Sequence, residues 1–307
     1  MVLEHRASGV EHGAILLVGD LSAKNPDSMF RLLPLLNQLT KPTYFIPGNH
    51  DTTGVRQLLG ELMQNDFLIN FGADSQVSRM QKLKDELKSP VLCGYSQHAL
   101  TGNLGLIAAR PFSMGSSNGT VNFRPFLEKE YGVATLEQSR DKIKSLIDGV
   151  NPPYLVLAHH GPFGLGAKPT DMFGADFLPQ ETDFGDRDLT EAIAYAQSIH
   201  KPPVAVIAGH MHYPTKHGKK PKQWYLRRDG SLAVTEDGEM YVLTAPKSLR
   251  AMFSGVRLEP TEPRTQAGIG ARDGESIALD ALLRLRLDAG DDWPIVRSPL
   301  TAAARRR

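Results

Sequence analysis

Cysteine is nearly absent. Cys93 is the one thiol in 307 residues, so an internal disulfide is excluded and a reducing compartment fits. Without a partner it is expected to be a small buried apolar group. Long hydrophobic runs are also missing. None approaches the roughly 20 residues of a membrane helix, so no membrane segment is expected. The opening Met1–Arg6 lacks the apolar core of a secretory signal, which points to an intracellular protein. Charge of one sign is missing too. Thirty-five Lys and Arg against 34 Asp and Glu leave a net charge of +1. No polyanion-binding surface or nucleic-acid module is expected from that balance. No internal repeat is present.

What the chain does have is four short apolar runs that each stop on polar residues. Ala14–Val18 ends in Gly19-Asp20. Tyr44–Pro47 ends in Gly48, then Asn49, His50 and Asp51. Tyr154–Ala158 ends in His159 and His160. Val204–Ala208 ends in Gly209, His210, Met211 and His212. Runs of this length and β-branched content are predicted strands. Open α/β sheets place their chemistry at the carboxyl ends of the strands. Aspartate, amide oxygen and imidazole together form a mixed ligand set. That set suits Mn, Fe or Zn better than Ca or a thiolate-bound metal.

One carboxylate can bridge two cations, and two cations can clamp a phosphoryl group. His50, beside Asn49 but facing another way, can serve as an acid for a leaving oxygen. Asp51 can orient His50, or cap the helix that follows. Asp20 alone would read as a helix cap; with the other three runs it reads as a ligand. In the third run one histidine should ligate, and His159, directly after the strand, is preferred to His160. Arg110 can grip a substrate phosphate or hold structure. The basic clusters Lys219-Lys220 and Arg305–Arg307 read as solvated surface.

Between these runs the pattern predicts helices over Met29–Leu39 (with Pro34 a kink), Thr53–Met63, Phe126–Val150 and Leu189–Ile199. Pro90–Tyr95 and Leu104–Ala109 read as an antiparallel strand pair. Residues 161–188, rich in Gly, Pro and Asp, read as a long loop that shapes a substrate pocket. Glu239–Thr244 is a predicted last strand. The organisation expected is one domain over 1–250 and a poorly ordered tail over 251–307, where Gly, Arg, Pro and Glu dominate before a short amphipathic piece.

Taken in order, the four blocks Gly19-Asp20, Gly48-Asn49-His50-Asp51, His159-His160-Gly161-Pro162 and Gly209-His210-Met211-His212 resemble those of the calcineurin-like metallophosphoesterase superfamily. The likeness runs from about residue 12 to 245. Ala158–Gly166, Gly185–Asp188 and Arg110–Ser113 are similar to a narrower branch found in cyanobacteria and photosynthetic eukaryotes, which adds a plastid to the cytoplasm as an expected location. The resemblance implies an α/β fold, a four-layer α-β-β-α sandwich. It implies hydrolysis of a phosphate mono- or diester, small molecule or protein, by a metal-bound hydroxide at a dinuclear site. By position, Asp20 would bridge two divalent ions. Asn49, His159 and His210 would complete one ion, His212 would bind the other, and His50 would be the acid.

One block of that pattern has no counterpart. The family's first strand ends in Asp-x-His, while His5 and His12 stand outside any such pair. The first strand and half of one metal site are therefore expected to be missing, as in an incomplete gene model, leaving as little as one ion. That gap also admits a second class of function, a catalytically impaired binding or regulatory module on the same fold.

Overall fold

The structure is a computed structural model. It describes residues 14–21, 27–100, 104–116, 119–171 and 173–211, together with the backbone of three short strand segments beyond them. In chain order the elements are β1 Ile15–Leu17, α1 Ser28–Leu36, β2 Thr43–Phe45, α2 Val55–Met63, α3 Asp66–Glu86, β3 Val91–Leu92, β4 Ser96–Ala99 and β5 Gly105–Ala108. There follow α4 Arg124–Tyr131, α5 Leu136–Gly149, β6 Tyr154–Leu157, α6 Arg187–Ser198, β7 Ala205–Ala208, β8 Tyr241–Thr244, β9 Arg284–Leu285 and β10 Ile295–Val296.

Two sheets carry the fold. One is parallel throughout, in the order β1-β2-β3. The other runs β4-β5-β6-β7-β8, with only β4 antiparallel to its neighbour. β9 and β10 form a separate antiparallel pair. Alternation along each strand deals its side chains to two layers, because successive residues face opposite sides of a sheet. Leu16, Tyr44, Ile46, Leu106, Ala108, Leu155, Leu157, Ala205 and Ile207 share one buried cluster drawn from both sheets. Their neighbours Leu17, Phe45, Ile107, Val156 and Val206 join a second cluster with Met29 and Leu33 of α1, Met80 of α3, Ile143 of α5 and Ile193 of α6. The first cluster is the filling between the sheets; the second is the packing of helices on their outer faces. This is the α-β-β-α sandwich.

Several elements differ from the sequence reading. The expected strand over residues 90–95 splits in two: β3 pairs with β2, and the hairpin partner of β5 is β4. The expected helix over 126–150 is two helices. Gly132, at φ +67, ends α4, and Thr135 starts α5 with a full capping box, its hydroxyl accepting from Gln138 N–H. Helix α1 runs through Pro34 but stops at Leu36. The 21-residue α3 went unread. Its inner stripe is Ala73, Gln76, Met80 and Leu83, and the glutamine breaks the apolar period there. The tail from 251, apart from the backbone of β9 and β10, lies outside the described residues. Among the described residues no helix is long and apolar enough to cross a membrane.

Helix α2 touches α4 through one buried carboxyl. Glu61 is 6% exposed, and its Oε1 accepts from Phe123 N–H at 2.7 Å. Burial pushes Glu61 up to about 7, against the opposing pull of that N–H and of Arg124. A carboxyl raised on folding stabilises fully below its unfolded value, and the contribution is lost as pH rises through the folded value. The melting temperature is thus expected to fall between about pH 4 and pH 7. In Glu61→Gln, thermal melts across that range should fall less steeply; an unchanged slope would remove Glu61 as the cause.

Candidate metal centre

β1 and β2 run parallel, so the loops after them leave the same edge. Val18-Gly19-Asp20 follows β1, and Gly48-Asn49-His50 follows β2. Gly19 has φ +90 and Asp20 φ +54. The left-handed region suits glycine and is tolerated by aspartate. The two turns nearly touch. A Cβ on Gly19 would stand 2.5 Å from Gly48 N and 2.5 Å from His159 Nδ1. A Cβ on Gly48 would stand 2.4 Å from Asp20 N and 2.4 Å from His159 Cε1. The glycines clear the space in which the His159 ring lies.

His159 follows β6 and is fully buried. Its Nδ1 is 2.6 Å from the Val18 carbonyl oxygen. A carbonyl can only accept, so Nδ1 carries a proton; with one proton on the ring, Nε2 presents a lone pair. That Nε2 faces Asn49 Oδ1 at 3.0 Å, His210 Nδ1 at 3.1 Å and Asp20 Oδ1 at 3.6 Å. Asn49 Oδ1 lies 2.8 Å from His210 Nδ1. Asp20, His159 and His210 offer ligand atoms all within 4.8 Å of one another. His210 itself sits at φ +69, a second non-glycine outlier at one site. Such strain costs on the order of 1–3 kcal/mol and concentrates at functional positions.

The family comparison now bears on this geometry. The model of the calcineurin-like phosphoesterases matches residues 3–214. The chain belongs to the calcineurin-like phosphoesterase family. Among solved structures it is similar to TT1561 of Thermus thermophilus, at 11% identity and a TM-score of 0.40, over 79% of this chain and 78% of that one. It is also similar to the Thermus thermophilus sulfate thiohydrolase SoxB in complex with glycerol, at 10% identity and a TM-score of 0.34, over 94% of this chain and 44% of that one. Likeness this slight assigns no residue. No curated protein matches the chain.

Around this cluster the remaining sequence candidates take distinct places. His50 is half-buried, and its backbone N–H donates to Asp20 Oδ1 at 2.9 Å. Asp51 is fully buried; its Oδ2 accepts from Gly48 N–H at 2.9 Å, and its own N–H donates to Gly48 O at 3.0 Å. This carboxylate closes the turn that presents Asn49. His160 is buried behind the cluster, its ring 4.6 Å from that of His210 and 5.0 Å from that of Phe173. His212, His5 and His12 lie outside the described residues.

Arg110 requires a correction. Just past β5, it is 1% exposed rather than open to a substrate phosphate. Its Nε donates to Asp188 Oδ2 at 2.9 Å, and its Nη2 donates to Asp188 Oδ1 at 3.2 Å and to Asp186 Oδ1. Ser113 Oγ donates to Asp186 Oδ1 at 2.7 Å, and Ser139 Oγ donates to Asp188. Only Nη1 is left without a hydrogen-bond partner among the described residues. The guanidinium is engaged by two internal carboxylates. Asp186 N–H in turn donates to Gly161 O at 2.7 Å, so the ion cluster ties the far end of the 161–186 loop to its start, one residue past His160. Of the two roles the sequence left open, the structural one holds; its partners, 76 and 78 residues away, were not legible. Cys93 is buried as expected, and burial pushes its thiol up to about 12, which leaves it unreactive.

Proposed function

We propose that the chain is a metal-dependent phosphoesterase, hydrolysing a phosphate mono- or diester of a small molecule or a protein. Asp20, Asn49, His159 and His210 would hold one divalent cation, Mn, Fe or Zn. Asp20 and His212 would help to hold a second. One observation supports the first site above the others. The lone pair of His159 Nε2, its tautomer set by Val18, points at an amide oxygen and a carboxylate oxygen. Acceptor facing acceptor in a buried space is unfavourable unless a cation or a proton lies between them. The separations of 2.8 to 3.6 Å are those of neighbouring donors that each bind one ion at about 2.1 Å.

Bound divalent cations supply Lewis acidity and water that ionises near neutral pH. The chain's residues do the rest. Asp20 and Asn49 provide oxygen donors, and Val18 orients His159 through Nδ1. His50, half-exposed beside Asn49, hands a proton to the leaving oxygen. Asp51 holds the turn that sets both of them. The 161–186 loop, anchored by Asp186, shapes the substrate pocket.

The test strips the protein with a chelator and counts metal before and after adding Mn²⁺, with turnover of p-nitrophenyl phosphate and its diester as readout. Stripped protein should be inactive, and Mn²⁺ should restore both ion and turnover. His50→Ala should keep the ion and lose about 10²-fold or more in kcat. Protein that binds no ion and turns over neither ester would sink the proposal. An ion bound without turnover would assign the chain a binding role instead.

A further inference from the structure

Helix α2 is built inside out. It buries Gln57, Gly60 and Glu61 and turns Val55, Leu59, Leu62 and Met63 outward, each 47% to 65% exposed. A surface helix ordinarily does the reverse. On α3, Phe67 and Phe71 are 76% and 61% exposed, with their rings 6.4 Å apart. The Arg56 guanidinium of α2 lies 6.0 Å from the Phe71 ring centroid, so the outer faces of the two helices adjoin.

Their shared inner face explains why the apolar side chains lie outside. The helices close on one another over two glycines and a glutamine pair. A Cβ on Gly60 would stand 2.8 Å from Leu68 Cβ and 3.1 Å from Ile69 Cγ1, and one on Gly72 would stand 2.4 Å from Gln57 Cβ. Gln57 Nε2 donates to Gln76 Oε1 at 2.6 Å. A larger side chain at position 60 or 72 would clash.

The six outward residues, each 47% to 76% exposed, together present on the order of several hundred Å² of surface. That is at the upper end of the roughly 300–600 Å² of a typical monomer's largest apolar patch. It approaches the ~800 Å² that each partner gives to a stable interface. We propose that the α2–α3 hairpin is the interface of a homodimer, each copy laying this face on the same face of the other. Two features favour a second copy. The area is close to what a dimer needs. Exposed charges on the two helices are of both signs; Asp66 already lies 4.0 Å from Arg124, which leaves Arg56 and Asp74 for a two-fold axis to set against each other. A helix that lies on anionic lipid carries a surplus of Lys and Arg on its polar face, which this hairpin lacks.

The interface would brace the candidate site. α2 begins at Val55, just after the Asn49–His50–Asp51 turn, and Arg79 of α3 donates to the Thr52 carbonyl in that segment.

The test is the mass of the full chain in solution, by light scattering after size exclusion and by sedimentation at micromolar concentration. The expected mass is twice the 33.7 kDa of one chain. The double variant Leu62→Glu/Phe67→Glu should halve it while leaving the far-UV circular dichroism unchanged. If that variant fails to fold, Phe71→Lys and hydrogen exchange on the wild type serve instead. Exchange in residues 55–71 should then quicken on dilution. A wild type that stays at single-chain mass overturns the proposal. So does a double variant that keeps the doubled mass. A single-chain protein protected over 55–71 would show the stripe covered by its own chain, and one that pellets with phosphatidylserine vesicles would show a lipid-facing helix; either result overturns the dimer.

Discussion

Gly48→Ala is expected to remove both bound metal and turnover. The new methyl would lie 2.4 Å from His159 Cε1 and from Asp20 N, and 2.5 Å from Asp20 Oδ1. Ordinary contact requires about 3.4 Å or more, so something must move by roughly 1 Å. None of the three neighbours is the free end of a flexible side chain. The Asp20 backbone is fixed in a left-handed turn at φ +54, and the His159 ring is held by Val18 on one edge and faces Asn49 on the other. A displacement of this size in a catalytic group costs on the order of 10²-fold even when the group survives. Here it separates two residues proposed to hold one ion. The lost stabilisation is several kcal/mol, on the order of 10⁴-fold in rate. Gly54→Ala is the control. It lies in the same connection, and a Cβ there meets nothing nearer than Arg79 Nη2 at 3.5 Å. Metal content by mass spectrometry and turnover of p-nitrophenyl phosphate check both variants. A Gly48→Ala protein that retains its ion and its rate would show that the strand ends are not the metal site.

The strand ends were the legible part. A short apolar run followed by Asp, Asn or His has a simple consequence in a parallel sheet: all such residues arrive at one edge. Asp20 follows β1 of one sheet and His159 follows β6 of the other, so their approach to 3.6 Å also needs the two sheets to pack with these edges together, a tertiary fact that no residue type marks. What could not be read is what holds them there. The Val18 carbonyl is backbone, and no residue type marks it as the partner of an imidazole. The close approach of Gly19 and Gly48 depends on the distance between two turns, a tertiary quantity. Thr135 and Gln138 did carry a readable signal, since a threonine with glutamine three residues on marks a helix start; the uninterrupted apolar period around them hid it. Helix α2 was read as a helix, Thr53–Met63 against the observed Val55–Met63, but its outward face and the whole of α3 were not legible. Its apolar residues are on the outside, so the usual inference from apolar stripe to core gives the wrong face for α2 and no stripe for α3.

Arg110→Met is expected to be the most destabilising single change outside the site. The guanidinium is buried between Asp186 and Asp188, which are 2% and 1% exposed. Removing it leaves two buried carboxyl groups in a low-dielectric interior with no cation. Breaking a buried ion cluster in this way costs about 3–5 kcal/mol. The loss should depend on pH with a definite sign. Burial pushes the Asp186 carboxyl up to about 8 even with Arg110 lowering it, because Asp188 opposes its ionisation. A carboxyl raised above its unfolded value gives stability that is complete below about pH 4 and lost as pH rises through its folded value. Without Arg110 that folded value rises further. Both proteins then hold the Asp186 carboxyl neutral up to about pH 8, so the deficit of the variant against wild type should be level below about pH 8 and grow above it. Chemical denaturation at several pH values measures it. The companion triple variant Arg110→Met/Asp186→Asn/Asp188→Asn separates charge from packing, since replacing a whole buried ion cluster is often nearly neutral. It should recover most of the stability lost by Arg110→Met alone. A deficit that is flat with pH and persists in the triple variant would mean that Arg110 acts through its packed stem rather than its charge.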